Sequence, residues 1–151
     1  KRLELHVYDY SQKKEVLIIN DAGGIHLAIS KDGKRILNTG TLKIYDAING
    51  SLLTDLKQKT IEKLQAAGYN LDLRYPGQAN RGTFPLDGDF SPDGSKIVLD
   101  GAVEKNGKYG IIIFEIDVKG EGFQILTDLI EVNPDFSNQN SYSQLNPTWI
   151  G

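Results

Sequence analysis

Cysteine and methionine are both absent from this sequence of 151 residues, and histidine occurs only twice. Without cysteine the chain can form no disulfide, thiol nucleophile or thiolate metal site. No apolar run approaches the roughly 20 residues that a membrane helix needs, so no membrane span is predicted. Because the chain also begins with Lys1, we expect it to be a processed or partial form of a longer protein.

Charge of one sign is not in large excess. The 17 basic and 20 acidic residues leave a net charge of −3, and the basic residues form no continuous run. A nucleic-acid groove needs concentrated positive charge, so no nucleic-acid partner is predicted. Hydrophobic residues make up 39% and charged residues 25% of the chain, which is typical of a globular domain.

Short strand-like runs separated by turn residues dominate what is present, and they predict an all-β fold. Apolar and polar side chains alternate over residues 3–8 and 25–29, and a long run rich in isoleucine occupies residues 111–116. Among the turns, Asn49-Gly50 and Asn106-Gly107 favour type I′ hairpins. Because the links between the strands are short, neighbouring strands should be antiparallel.

Residues 55–67 interrupt the strand pattern and predict an inserted helix of about three turns. This segment lacks glycine and proline, and helical spacing places one stripe of side chains together at Leu53, Leu56, Thr60, Leu64 and Ala67. Thr54 is the expected N-cap and Gly68 the expected first residue beyond the C-cap.

The strands are organised as a repeated unit. Ser30-Lys31-Asp32-Gly33 and Ser91-Pro92-Asp93-Gly94 each follow one strand and precede another, and two further strands complete each unit. Residues 25–54 and 87–127 therefore predict two four-stranded units. Residues 1–20 match only the last two strands of a unit. Residues 146–151 match only the first strand, with Trp149 at the inner position that Phe90 occupies one repeat earlier.

These units resemble the TolB-like β-propeller repeat through Ser91-Pro92-Asp93-Gly94, the strand at residues 96–99 and Ile125-Leu126-Thr127. The unit that contains Ser30 is a looser copy that is also similar to WD-repeat blades. The resemblance implies antiparallel four-stranded blades, two complete and two partial, within a single β-propeller domain that includes residues 1–151. Propellers close with roughly four to eight blades, so further blades or copies of the chain would complete the ring. A β-sandwich is the alternative fold.

In a propeller, the connections between blades emerge on one face, and insertions on one face often form a binding surface. Here these connections are residues 55–86, a helix and loop, and residues 128–145, a long loop. Arginine and tyrosine are enriched at binding hot spots, which makes four residues of these connections the predicted binding residues: Arg74, Tyr75, Arg81 and Tyr142. We therefore expect a protein or peptide partner. The alternative is that the tyrosines pack structurally and the arginines are solvated.

The sequence contains no catalytic constellation. His6 and His26 fall within predicted strands without a nucleophile motif, and G-x-S-x-G, dinucleotide and phosphate-loop patterns are absent. A calcium-loop pattern is approached by the alternating residues Asp87, Asp89, Ser91 and Asp93. However, Pro92 and Val98 stand where such a loop needs glycine and glutamate. We predict no enzymatic activity in this chain, no cofactor and no metal site.

The resemblance implies a non-catalytic scaffold for protein interaction or ligand recognition, placed in the periplasm or at the cell surface, with a cytoplasmic location left open. The second hypothesis is the substrate-gating propeller of a prolyl oligopeptidase-like serine peptidase whose catalytic domain lies outside these residues. A G-x-S-x-G segment elsewhere in the full-length gene would favour the peptidase.

Overall fold

A computed structural model of the chain describes residues 4–20, 26–72, 87–131 and Pro147. Within these residues the fold is mostly β, all strand pairs are antiparallel, no sheet is closed and one short helix is present. None of the described segments forms a helix long and apolar enough to cross a membrane. The predicted strand at residues 146–151, with Trp149, lies outside the described residues apart from Pro147.

The elements follow one another in a simple order. They are β1 (Leu5–Asp9), β2 (Lys14–Ile19), β3 (Leu27–Ile29), β4 (Arg35–Asn38), β5 (Lys43–Asp46), β6 (Leu52–Asp55), α1 (Lys57–Ala66), β7 (Asn70–Leu71), β8 (Asp87–Phe90), β9 (Lys96–Lys105), β10 (Lys108–Asp117), β11 (Phe123–Ile125) and β12 (Ile130–Glu131).

The strands form three sheets. Strands β1 and β2 make a two-stranded hairpin, and β3, β4, β5 and β6 make the first sheet, with neighbours in chain order. The second sheet contains β8, β9, β10 and β11, also as neighbours in chain order, with β7 added to β9 and β12 added to β10. Each predicted unit therefore folds as a four-stranded meander, while β7 and β12 were not predicted.

Side-chain alternation assigns the two faces of the first sheet to different neighbours. Leu37 and Ile44 pair across β4 and β5 and belong to a core that also contains α1 and second-sheet residues. Ile36 and Tyr45, one position along each strand, pack instead against the hairpin. The order of layers is therefore hairpin, first sheet, second sheet, and the period of two along each strand produces it.

The turn between β3 and β4 is held by its own polar side chains. The Ser30 hydroxyl donates to Asp32 Oδ1 at 2.6 Å and accepts the Arg35 backbone N–H at 3.0 Å. The Gly33 N–H donates to the Ser30 carbonyl at 2.8 Å, and Gly33 has a φ of +70°. A left-handed conformation here favours glycine, which explains the Asp-Gly pair.

The turn between β8 and β9 repeats this arrangement. The Ser91 hydroxyl donates to Asp93 Oδ1 at 2.7 Å and accepts the Lys96 N–H at 2.9 Å, and Gly94 has a φ of +69°. The Ser91 hydrogen bond, with those from the Ser95 N–H and hydroxyl, lowers the pKa of Asp93 to about 2. The sequence repeat is thus also a repeat of hydrogen bonding.

Arg35 joins the two turns across the interface between the sheets. Its Nη1 donates to the Gly94 carbonyl at 2.7 Å, and its guanidinium carbon lies 5.4 Å from the centroid of the Phe90 ring. A cation over an aromatic face adds a second favourable contact at the same point. Arg35 therefore fixes the position of one repeated turn against the other.

Arg35 contacts the glycine of the second turn, Gly94, whereas an added Cβ at Gly33 in the first turn would have no neighbour within 4 Å. The same glycine-to-alanine substitution should therefore have unequal effects in the two turns. Gly33→Ala is expected to reduce the free energy of unfolding by about 1–2 kcal/mol, the cost of a left-handed Cβ, because nothing lies within 4 Å of the added atom. In Gly94→Ala the added Cβ meets the Arg35 guanidinium at under 3.0 Å. Displacing Arg35 should cost about 1–2 kcal/mol more. Urea unfolding measures both losses, and equal losses would contradict the bridging role of Arg35.

The helix is shorter at its start than predicted, and α1 is the Lys57–Ala66 segment. Thr54 is not its N-cap, because Thr54 pairs with Ile44 in β6 and the N-cap position is Leu56 without a side-chain cap. Leu53 also lies in β6, so it is not part of the helical stripe. Gly68 follows the C-cap with a φ of +81°, which confirms that prediction.

One of the two predicted type I′ turns is confirmed. Asn106 and Gly107 both have positive φ, at 54° and 77°, between β9 and β10. The Asn49-Gly50 prediction is wrong, because only Gly50 has positive φ and its N–H donates to the Asp46 carbonyl at 2.9 Å. The Asp46 carboxylate accepts further backbone N–H groups in this turn, which stabilises a longer loop than a two-residue hairpin.

Candidate functional site

The hairpin of β9 and β10 extends beyond the other strands of the second sheet, since each of its strands has 10 residues. Near its base it is flanked by β8 and β11, and near its tip by β7 and β12. We define the tip surface as Tyr69, Asn70, Leu71, Glu104, Lys105, Lys108, Tyr109, Ile130 and Glu131.

Both long connections contribute a strand to the tip surface. Strand β7 belongs to the connection at residues 55–86, and its Leu71 pairs with Val103 of β9. Strand β12 belongs to the connection at residues 128–145, and its Ile130 pairs with Ile111 of β10. The described parts of the two connections therefore both lie beside the hairpin tip.

A hydrogen-bonded carboxylate joins the hairpin turn to β7. Glu104 Oε1 accepts the Gly107 backbone N–H at 2.6 Å, and Glu104 Oε2 accepts Asn70 Nδ2 at 3.1 Å. These bonds, that from Gly107 first, lower the pKa of Glu104 below its usual value. Glu104 thus remains charged at neutral pH and holds two segments of the tip surface together.

The tip surface includes charged groups of both signs and one aromatic ring in contact with a lysine. Lys105 Nζ lies 4.1 Å from the centroid of the Tyr69 ring, and Lys108 Nζ pairs with Glu131 Oε1 at 2.6 Å. The Lys108 and Glu131 side chains are more than half exposed, so the ion pair exchanges readily with water. The groups can donate and accept hydrogen bonds to a polar partner, but none is a nucleophile beside a base.

The residues predicted to bind, Arg74, Tyr75, Arg81 and Tyr142, all lie outside the described residues. The described chain ends at Asp72 before three of them and at Glu131 before the fourth. Asp72 donates its backbone N–H to the Ala102 carbonyl at 3.1 Å, and Glu131 pairs with Gly110. Both of these end points lie beside the long hairpin. In the sequence, only the Asn106-Gly107 turn indicated this part of the fold. The two flanking strands, β7 and β12, were not predicted from any sequence pattern.

Each of the two histidines lies near a carboxylate within the described part of the chain. His6 Nδ1 lies 2.5 Å from Glu15 Oε2, and this hydrogen bond raises the pKa of His6 at an exposed position. His26 Nδ1 lies 3.9 Å from Asp87 Oδ1. Among the described residues, no three histidine, cysteine, aspartate or glutamate side chains are grouped so as to hold a metal ion.

A cavity of about 250 Å³ opens near the base of the second sheet, away from the hairpin tip. Its wall includes an ion pair between Lys96 and Glu115, which neutralise each other. The remaining lining residues are Asp117, Gly122, Phe123 and Gln124. This set combines no nucleophile with a general base, and the Asp117 carboxylate accepts the backbone N–H groups of its own turn. The tip surface is therefore the stronger candidate.

The chain was compared with known protein families, proteins and structures. No protein-family model, no curated protein and no solved structure matches the chain.

Proposed function

We propose that the chain is a segment of a TolB-like β-propeller that serves as a non-catalytic scaffold and binds a protein or peptide partner. The observation that supports this most is the repeated Ser-X-Asp-Gly turn. In both meanders the serine hydroxyl donates to the aspartate two residues on and accepts the backbone N–H of the residue five positions on. Repetition at the level of single hydrogen bonds is expected of stacked repeat units, each of which buries its face against the next.

In this proposal the first sheet is one blade, β8–β11 form the next blade, and the β1–β2 hairpin is the outer half of a third. Strands β3 and β8, the first strand of each blade, contact each other, as neighbouring inner strands around an axis would. Further blades or copies of the chain would pack at the two ends of this series and close the ring. The resemblance favours a periplasmic or cell-surface location.

The tip surface and the connections that leave it would carry the binding function. Each connection is tied to the rigid hairpin by a short strand, and loops positioned by a rigid scaffold are a common place for recognition. Arg74, Tyr75 and Arg81 follow β7 closely in the sequence, and Tyr142 follows β12. Their side chains offer the planar and aromatic groups that dominate binding energy at interfaces.

A triple substitution tests this function. Peptides selected from a random display library against the wild-type chain should bind Arg74→Ala/Tyr75→Ala/Arg81→Ala at least about tenfold more weakly, since hot-spot truncations cost more than about 1 kcal/mol each. The melting temperature should not change. The dissociation constants are measured by fluorescence anisotropy, and the melting temperatures by circular dichroism.

The matched control replaces one aromatic and two basic side chains that are exposed in turns elsewhere, as Tyr10→Ala/Lys31→Ala/Lys34→Ala. This variant should bind the selected peptides like the wild type. Equal weakening by the two triple variants would locate the binding elsewhere. A lower melting temperature with unchanged binding would assign the connection a structural role.

A further inference from the structure

The chain contains two Asn-Gly pairs, Asn49-Gly50 and Asn106-Gly107, and each lies in a turn that joins two strands. Both asparagines are exposed. An asparagine that precedes glycine can lose ammonia spontaneously, because no Cβ on the following residue hinders attack by its backbone nitrogen. The two turns hold these pairs differently, and the difference decides where the reaction takes place.

The reaction needs only water as co-reactant. The glycine nitrogen attacks the asparagine Cγ, so that an N–Cγ bond forms while the Cγ–Nδ2 bond breaks, and the proton of the glycine N–H leaves with the side-chain NH₂ as ammonia. Water then opens the resulting succinimide at either carbonyl, which gives aspartate or isoaspartate. A glycine N–H that is hydrogen-bonded, or a side-chain amide that is held in place, therefore opposes the first step.

The turn between β5 and β6 holds Asn49 by its backbone, its side chain and the residue that follows it. The Asn49 N–H donates to Asp46 Oδ1 at 3.0 Å, and Asn49 Oδ1 accepts the Ser51 N–H at 2.8 Å. The Gly50 N–H donates to the Asp46 carbonyl at 2.9 Å. Both groups that must react are therefore engaged in hydrogen bonds, and several of these must break before the ring can close.

The turn between β9 and β10 holds Asn106 by fewer contacts. The Asn106 side-chain amide is exposed and has no hydrogen-bond partner in the parts of the chain that the structure describes. The Gly107 N–H donates to Glu104 Oε1 at 2.6 Å, and Glu104 is itself held by Asn70 through its other oxygen. One carboxylate therefore restrains the attacking nitrogen, and nothing comparable restrains the amide that it attacks.

The end of the long hairpin favours opening of this turn. Lys105 and Lys108 form the last pair of the ladder before it, and like charges on directly opposite residues weaken strand pairing. Asn106 has a φ of 54°, a left-handed conformation that a residue other than glycine adopts at a cost. Ring closure rotates the peptide between Asn106 and Gly107 out of the type I′ turn, so the reaction proceeds from the open turn.

We propose that Asn106 is a site of spontaneous deamidation, and that the Glu104 carboxylate sets the rate by holding the Gly107 N–H in the closed turn. The product places a new carboxylate in the same turn as Glu104, and isoaspartate also adds a methylene to the backbone of the turn. Both changes weaken the hydrogen bond from Gly107 and loosen the tip surface. The modification needs no binding partner, so it stands apart from the proposed scaffold function.

Peptide mapping by tandem mass spectrometry tests the site. During incubation of the full chain at neutral pH, Asn106 should deamidate at least about fivefold faster than Asn49, because more hydrogen bonds must break at Asn49. The same chain unfolded in urea is the control, and there the two rates should agree within about twofold. Equal rates in the folded chain, or a faster reaction at Asn49, would overturn the site. A preference for Asn106 that persisted in urea would arise from the neighbouring residues and would overturn the structural assignment.

Glu104→Gln tests the role of the carboxylate. It keeps the size of the side chain but replaces a charged acceptor by a weaker neutral one, so deamidation of Asn106 should be about fivefold faster. The rate at Asn49 in the same sample should not change, which separates an effect on this turn from unfolding of the chain. The comparison of the two asparagines in the wild type tests the site whatever the stability of this variant.

Glu131→Gln is the matched control, because it removes a carboxylate of the tip surface that pairs with Lys108 rather than with Gly107. It should leave the rate at Asn106 unchanged. Equal acceleration by the two variants would mean that the charge of the surface sets the rate, and would overturn the role of Glu104. A slower reaction in Glu104→Gln would also overturn it, since the carboxylate would then be the base that removes the proton.

The effect on the tip surface is measured on the deamidated chain, which carries an additional negative charge and is separated by anion-exchange chromatography. Hydrogen exchange at Gly107 and Asn70 should be faster than in the parent chain, because Glu104 contacts both residues. Exchange in β2 should be unchanged. Equal exchange at Gly107 and Asn70 in the two chains would overturn this effect. No peptide is used, so failure of the library-selected peptides to bind would count only against the proposed function.

Discussion

Phe114→Ala is expected to reduce the free energy of unfolding by about 3–5 kcal/mol, the usual cost of truncating a fully buried phenylalanine. Phe114 lies in the middle of β10, is completely buried and pairs with Leu99 and Ile125 on the neighbouring strands. Its ring centroid lies 5.6 Å from that of Phe123. Residues of both sheets and of α1 pack in the core around this ring. Because these elements hold one another in place, they cannot easily move together to close the cavity that truncation leaves. Urea denaturation measures the loss.

The adjacent residue supplies the control. Ile113 lies on the opposite face of the same strand and is only partly buried. Its backbone N–H donates to the Thr127 hydroxyl, and this hydrogen bond is kept when the side chain is truncated. Ile113→Ala should therefore cost less than half as much as Phe114→Ala. Similar costs for the two variants would mean that the shared core does not carry the stability of the second sheet.

Local signals in the sequence were sufficient for the strand order of both meanders. The alternation of apolar residues places Leu37 and Ile44 on one face of the first sheet. The Ser-X-Asp-Gly turns form because the serine hydroxyl donates to the nearby aspartate and accepts a backbone N–H five residues on. Both patterns involve only residues that are close in the sequence, so they can be recognised without knowing which distant segments pack together.

The errors occur where distant residues decide the structure. Thr54 has the chemistry of an N-cap, but pairing with Ile44 draws it into β6. Strands β7 and β12 have two residues each, too few for any periodicity, and they exist because the long hairpin offers them an edge. The hydrogen bond from Arg35 to Gly94 joins residues 59 positions apart. No local pattern could have indicated it.

The candidate site was predictable only in its general position. The propeller resemblance implies that the two connections emerge on one face, and the short strands that begin them, β7 and β12, both lie beside the hairpin tip. The individual contacts, such as Glu104 with Asn70, depend on the register of β7 against β9. For Arg74, Tyr75, Arg81 and Tyr142, which lie outside the described residues, the binding role stays a prediction.

A glycine decides whether β12 can reach the tip surface. Gly110 pairs with Glu131, and the close approach of the two backbones leaves no room for a side chain. A Cβ at Gly110 would lie under 3.0 Å from both the carbonyl carbon and oxygen of Ile130. Because these are backbone atoms, no rotamer change can relieve the overlap, and the strand itself must move.

Gly110→Ala is therefore expected to detach β12 from β10, at a cost of about 1–3 kcal/mol, as for other overpacked sites. Hydrogen exchange at residues 110–111 and 130–131 should accelerate by about tenfold or more, since β12 has only two paired residues to hold it. Exchange in β9 and at the base of β10 should be unchanged. Binding of the library-selected peptides should weaken if they contact the connection that follows β12.

Lys108→Ala is the control for this variant, because it removes the exposed ion pair with Glu131 and keeps the backbone pairing. Its effect on stability should be at most about 1 kcal/mol, as for other surface ion pairs, and hydrogen exchange at Gly110 should stay slow. If Lys108→Ala released β12 as fully as Gly110→Ala does, the ion pair would hold the strand. If neither variant changed hydrogen exchange, β12 would be held by Leu129, which packs against the core just before it. In that case the close backbone contact at Gly110 would not be what holds β12 at the tip surface.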